Sequence, residues 1–144
     1  MKRIAVLGAG LMGHGIAQVF LAAGHPVALH DPDPDALASA PERIRSIFDL
    51  LELDAAPLDG LEPAGELAVA VRDADLVIEA APEKLELKRR IFSDLMSMTG
   101  EDTILASNTS GLPIGEIARE LDDAGRVIGT HFWNPPHLVP LVEV

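Results

Sequence analysis

Six residues near the N-terminus, Gly8-Ala9-Gly10-Leu11-Met12-Gly13, restrict the possible folds more than any other stretch of the chain. They follow a short apolar run, Ile4–Leu7, and open a segment in which Met12, Ile16, Val19, Phe20 and Ala23 recur at helical spacing before Gly24. A second apolar run, Pro26–His30, ends at Asp31-Pro32. Strand, glycine turn, helix, strand is one βαβ unit, and such a unit needs a parallel sheet covered by helices. In the GxGxxG pattern Gly8 permits a tight turn, Gly10 lets backbone approach a pyrophosphate, and Gly13 lets the helix pack on the strand. Gly8, Gly10, Leu11, Met12 and Gly13 therefore read as cofactor-binding, with free N–H groups and the positive helix end turned to the phosphates.

The rest of the chain keeps the alternation. Helices are expected at Asp35–Leu53, Glu66–Ala74, Lys84–Met98 and Pro113–Leu121. Leu87, Ile91 and Leu95 are assigned to the inward face of the third of these. Strands are expected at Leu76–Ala80, Thr103–Ala106, Val127–His131 and Leu141–Val144, with a very short one near Leu61. The fold class is α/β: a Rossmann-type, doubly wound, mostly parallel sheet with helices on both faces. Residues 1–144 read as one dinucleotide-binding domain. The chain stops inside an expected strand, so it is expected to be a piece of a longer protein.

Asp31 follows the last glycine by roughly 20 residues, at the end of the second strand, where a carboxylate accepts hydrogen bonds from an adenosine ribose. Pro32, Asp33 and Pro34 follow, not the cation that a 2′-phosphate would need, so the cofactor is read as NAD. FAD proteins share the fingerprint, which fixes a ligand class and not a reaction.

Composition removes other classes. Acidic residues outnumber basic ones 23 to 11 and the net charge is −12, which excludes a basic nucleic-acid stripe. With no cysteine, thiolate nucleophiles and Cys metal sites are excluded, and His25, His30 and His137 show no ligand spacing, so no metal site is expected. His14 is assigned to solvent or the phosphates. No apolar run reaches the ~18 residues of a membrane span, and a strand from Ile4 leaves no room for a leader, so a cytoplasmic protein is expected.

Toward the C-terminus His131 ends an expected strand, with Asn134 and Glu143 nearby. Oxidising a secondary alcohol needs a base of near-neutral pKa, and a carboxylate on the other ring nitrogen fixes the tautomer. A lone histidine after a strand is also often structural. Glu79 reads as a buried, hydrogen-bonded strand acid, Lys88, one turn into a helix, as a solvated surface lysine, and Ser107, Asn108 and Thr109 as possible helix caps.

The blocks Gly8–Phe20, Leu76–Leu95, Thr103–Ser110 and Val127–Val144, in that order, resemble the 3-hydroxyacyl-CoA dehydrogenase family. The resemblance implies that His131 is the catalytic base and Glu143 its acidic partner. It implies that Ser110 and Asn134 serve both substrate and nicotinamide, and that Glu83 and Lys88 touch the cofactor on its nicotinamide-ribose side. It further implies a helical second domain, absent from this chain, a homodimeric full-length protein, and NAD-dependent oxidation of L-3-hydroxyacyl-CoA to 3-oxoacyl-CoA in fatty acid metabolism. The family's Lys-rich arm for CoA phosphates is not matched: no lysine occurs between Lys2 and Lys84, and Pro140 replaces a common lysine. Dehydrogenases of free 3-hydroxy acids, of the L-gulonate or L-carnitine type, are therefore an alternative, and a non-catalytic NAD-binding module is another.

Overall fold

The computed structural model describes residues 1–144. Strands β1 (Ile4–Leu7), β2 (Val27–His30), β3 (Leu61–Ala64), β4 (Leu76–Glu79), β5 (Ile104–Ser107) and β6 (Val127–Gly129) form one sheet in the order β3-β2-β1-β4-β5-β6. Every pairing in it is parallel. Helices α1 (Leu11–Ala22), α2 (Pro34–Leu50), α3 (Leu67–Val71), α4 (Leu85–Met98) and α5 (Ile114–Ile117) supply the crossovers.

The strands are apolar because both faces are covered. On β1, Ile4 and Val6 join the core under α1 and α2, with Ile16, Leu21, Ile44 and Phe48. Ala5 and Leu7 point the other way, into the core under α3, α4 and α5, with Phe92, Leu95 and Ile117. This is the period-2 alternation of a strand between two layers. The sheet order reverses direction between β1 and β4, and ligands of open α/β sheets bind outside the strand ends at such a point.

Three expectations change. The helix expected at Pro113–Leu121 is one turn, Ile114–Ile117. Leu87 and Ile91 are only half-buried, and the buried face of α4 is Lys88, Phe92 and Leu95. The expected strand Val127–His131 breaks at Thr130. The pleated sheet ends with Thr130 N–H on Ser107 O, and the chain then turns into a separate antiparallel ribbon, β7 (His131–Phe132) with β8 (Val142–Glu143). α2 continues through Pro41, losing the bond its N–H would have given Leu37 O. Pro63 is tolerated because β3 is an edge strand. No helix is long and apolar enough to cross a membrane.

Candidate active site

The glycine turn links β1 to α1 at the reversal point. Gly8 has φ +102°, and a Cβ there would meet Ala80 O at 2.7 Å. A Cβ on Gly13 would lie 1.6 Å from Gly8 O, so these two glycines are demanded by the chain's own packing. At Gly10 a Cβ would meet nothing within 4 Å. Its missing side chain leaves open space at the N-cap of α1, where no side chain caps the first-turn N–H groups.

This turn borders a crevice of about 570 Å³ whose walls include Leu11, Asp31, Pro32, Leu87 and Ile91. The half-buried apolar stripe of α4 thus faces the crevice. Asp31 sits at its rim: Oδ2 accepts the Ala9 N–H at 2.7 Å and Oδ1 the Asp33 N–H at 2.8 Å. Asp31 therefore staples the glycine turn, and each oxygen keeps a lone pair for a ribose hydroxyl. No Lys or Arg lines the crevice, which suits an unphosphorylated ribose. An open N-cap, a glycine with free space and a rim carboxylate together fit an adenine dinucleotide.

His14 is only half-buried, with Nδ1 2.6 Å from Gly10 O. Burial lowers its pKa, partly opposed by that bond. Arg43 reaches over from α2 and donates to Ala9 O at 2.6 Å and Ala36 O at 2.9 Å, holding the turn against α2.

A second cavity, of about 330 Å³, is lined by Thr109, Ser110, Ile114, His131, Glu143 and neighbouring residues. His131 and Glu143 are directly opposite on the β7–β8 ribbon, and Nδ1 lies 2.8 Å from Glu143 Oε2. A carboxylate acceptor assigns the proton to Nδ1 and leaves Nε2 of the neutral ring as the basic atom. The Glu143 carboxyl is held below the usual range by the hydrogen bond from His131, and next by one from Trp133. Trp133 Nε1 donates to the same Oε2 at 3.1 Å, and its ring is 6.0 Å from the imidazole. The sequence alone gives Trp133 no role: it stands just past the end of β7, and only the fold brings its indole to the carboxylate that His131 uses.

The remaining site residues divide. Ser110 is exposed, borders the His131 cavity and gives its N–H to Glu83 Oε1 at 3.2 Å. Glu83 also accepts from the Thr109 hydroxyl. Burial, the largest influence, raises the Glu83 pKa, but the Thr109 and Lys88 bonds and the Lys88 charge outweigh it, and the net shift is downward. Asn134 lies exposed in the turn after β7, lining neither cavity. Lys88 is not a solvated surface lysine. It is 1% exposed, bonded to Glu79 at 2.7 and 2.9 Å, because only a carboxylate partner makes a buried ammonium tolerable. Glu79 is the buried, bonded acid expected. Of the possible caps, Thr109 accepts the Leu112 N–H at 2.9 Å, whereas Ser107 bonds Glu79 and Asn108 Oδ1 accepts the Phe132 N–H at 2.8 Å.

Residues 3–144 match the family model described as the NAD-binding domain of 3-hydroxyacyl-CoA dehydrogenase. The chain belongs to that family. Among curated proteins, L-carnitine dehydrogenase of Streptomyces griseus subsp. griseus is 41% identical over all of this chain and 44% of its own length. Mitochondrial hydroxyacyl-coenzyme A dehydrogenase of Rattus norvegicus is 38% identical over all of this chain and 50% of its own length. The solved structure of 3-hydroxybutyryl-CoA dehydrogenase from Escherichia coli K12 superposes with TM-score 0.90 at 38% identity, over 98% of this chain and 31% of that one. This 3-hydroxyacyl-CoA dehydrogenase-type domain thus spans half or less of the length of these relatives. NAD is the cofactor of the family's domain.

Proposed function

We propose that the whole protein oxidises the 3-hydroxyl of an L-3-hydroxyacyl-CoA to the 3-oxo compound with NAD. The observation that carries this reading is the 2.8 Å His131–Glu143 bond at the edge of a cavity shared with Ser110. His131 Nε2 takes the hydroxyl proton, Glu143 holds the ring in the right tautomer and stabilises the imidazolium, and the Ser110 hydroxyl orients the substrate oxygen. Gly8, Gly10, Leu11, Met12 and Gly13 hold the cofactor's phosphates, Asp31 its adenosine ribose, and Glu83 and Asn134 its nicotinamide end. NAD, when bound, supplies the hydride acceptor. In full-length protein His131→Gln should lower kcat about 10²–10⁴-fold and leave the NADH Kd within about twofold. A variant that keeps full turnover refutes the role of His131. Wild-type protein that binds NADH and oxidises nothing would instead be a non-catalytic module.

A second reading, a free 3-hydroxy acid of the L-carnitine or L-gulonate type, is favoured by the charge of α2. Of its two basic residues, Arg43 is engaged with Ala9 O and Ala36 O, which leaves Arg45. CoA phosphates need more cationic partners than that. Acetoacetyl-CoA reduction against L-carnitine and L-gulonate oxidation decides between the two. We also infer a cytoplasmic homodimer whose helical second domain closes over the ribbon. Exposed Trp133, Leu138, Leu141 and Val142, on the ribbon and the turn that joins its strands, support that covering.

A further inference from the structure

The crevice beside the glycine turn holds one polar side chain besides Asp31. Among the residues that line it, only Asp31 and His30 carry a side-chain oxygen or nitrogen. His30 ends β2, and its partner across the ladder is Ala64, at the end of the edge strand β3. The half-buried ring brings Nδ1 to 2.9 Å from Ala64 O. A carbonyl oxygen can only accept, so the proton of the neutral ring sits on Nδ1 and Nε2 is left as an acceptor. No protein group bonds Nε2, and the atom is open to solvent. The walls beside it are aliphatic: Leu67 at the start of α3, with Leu87 and Ile91 on α4, all half-buried. Such walls suit the faces of a flat heteroaromatic ring and leave its edge to a polar partner.

We propose that His30 is a specificity-determining residue of this crevice: its Nε2 accepts a hydrogen bond from the 6-amino group of the cofactor's adenine and so selects that base. The amine is the one N–H donor on the edge of the adenine ring, whose other nitrogens accept. An Nε2 without a proton can therefore bond the base nowhere else. Ala64 O acts from the neighbouring strand, fixing the tautomer and the tilt of the ring. The inference rests on the reading of Asp31 as the adenosine-ribose ligand, which puts the base in the same crevice.

The test compares NADH with its deamino analogue, in which hypoxanthine replaces adenine and a carbonyl stands where the amine was. Both Kd values are measured by fluorescence titration of the full-length protein at about pH 8, where an imidazole is ordinarily neutral. Wild type should bind the analogue about five- to tenfold more weakly, because one hydrogen bond is lost and two acceptors face each other. His30→Asn keeps a side-chain amide that can donate to Ala64 O and has no atom in the place of Nε2. It should bind NADH about fivefold more weakly than wild type, and the two dinucleotides within about twofold of each other. A histidine that merely straps β2 to β3 would leave that ratio untouched. Equal binding of both dinucleotides by wild type, or a preference that survives in His30→Asn, overturns the proposal. Should His30→Asn fail to fold, His30→Phe replaces it with the same expected loss of preference. Asp31→Ala checks the underlying reading separately: it should weaken both dinucleotides alike, and unaltered binding of both defeats the ribose assignment, while the wild-type ratio still decides the role of His30.

Discussion

Substituting the glycines of the turn one at a time separates what the fold demands from what the cofactor demands. A Cβ on Gly13 would stand 1.6 Å from Gly8 O and 2.7 Å from Gly8 C, where real Cβ atoms keep at least 3.0 Å. Both partners are backbone, so α1 and the end of β1 must separate by well over an ångström. Overpacking costs about 1–3 kcal/mol or more, and the better helix propensity of alanine returns at most about 1 kcal/mol. A net loss of about 2 kcal/mol lowers the midpoint by roughly 4–8 °C for a domain of this size. The same displacement moves the N–H groups at the start of α1 away from the phosphates, so NADH affinity should fall at least about tenfold, or 1.4 kcal/mol. Gly10→Ala is the counterpart. Its Cβ meets nothing in the protein, so the midpoint should hold while NADH binding weakens comparably, because the methyl fills cofactor space. Thermal melts and NADH fluorescence titrations measure both. A Gly13→Ala protein with wild-type midpoint and affinity would refute this account of the turn.

Lys88→Met alone should destabilise by about 3–5 kcal/mol in urea unfolding, because it strands the Glu79 anion in the core, and adding Glu79→Gln should restore most of it. A loss under about 1 kcal/mol would mean that water reaches Glu79. Trp133→Phe removes the second donor to Glu143 and keeps the ring, so the Glu143 carboxyl should titrate higher than in wild type by NMR, and an unmoved titration contradicts the bond. The sign follows from the depressed folded value: any stability from Glu143 is present above the ordinary carboxylate value of 4.5 and fades as pH falls through the folded one.

Much of this was legible in the sequence because local patterns carry it. The βαβ unit and the apolar strands follow from periodicity and glycine placement, and the structure agrees with them; of the expected α1 face only Ile16 is buried, Ala23 is exposed, and Ala17 and Leu21 join it in the core. What was not legible depends on where elements meet. Leu87 and Ile91 look like core residues because an apolar stripe on a helix cannot reveal whether it faces other side chains or a crevice. Lys88 looks like a surface lysine because its partner, Glu79, lies on another element and burial of a charge is rare. The break at Thr130 was hidden because Val127–His131 is continuously β-prone, and only the loss of a neighbour beyond β5 ends the sheet there. In the site, His131, Glu143 and Ser110 converge on one cavity, whereas Asn134 stands apart.

The ribbon explains why a histidine and a glutamate so separated in sequence form a pair. Residues directly opposite in an antiparallel pair have Cβ atoms about 5 Å apart, so the His131–Glu143 register alone brings imidazole and carboxylate within bonding reach. A slip of one residue would turn Glu143 to the other face. Two bonds to the end of β5 resist that slip: Thr130 N–H to Ser107 O at 2.9 Å and Phe132 N–H to Asn108 Oδ1 at 2.8 Å. Buried Phe132 adds an edge contact to Phe20 of α1, with centroids 6.3 Å apart. The stretch Ser107-Asn108-Thr109-Ser110 then reads as three separate attachments. Ser107 holds the buried acid, Asn108 the ribbon and Thr109 the Glu83 carboxylate, while Ser110 gives its N–H to that same carboxylate and borders the cavity. Three consecutive polar side chains thus serve three different neighbours at one strand end, and in this way the end of a parallel sheet ties the ribbon that carries the base to the strands beside the cofactor crevice.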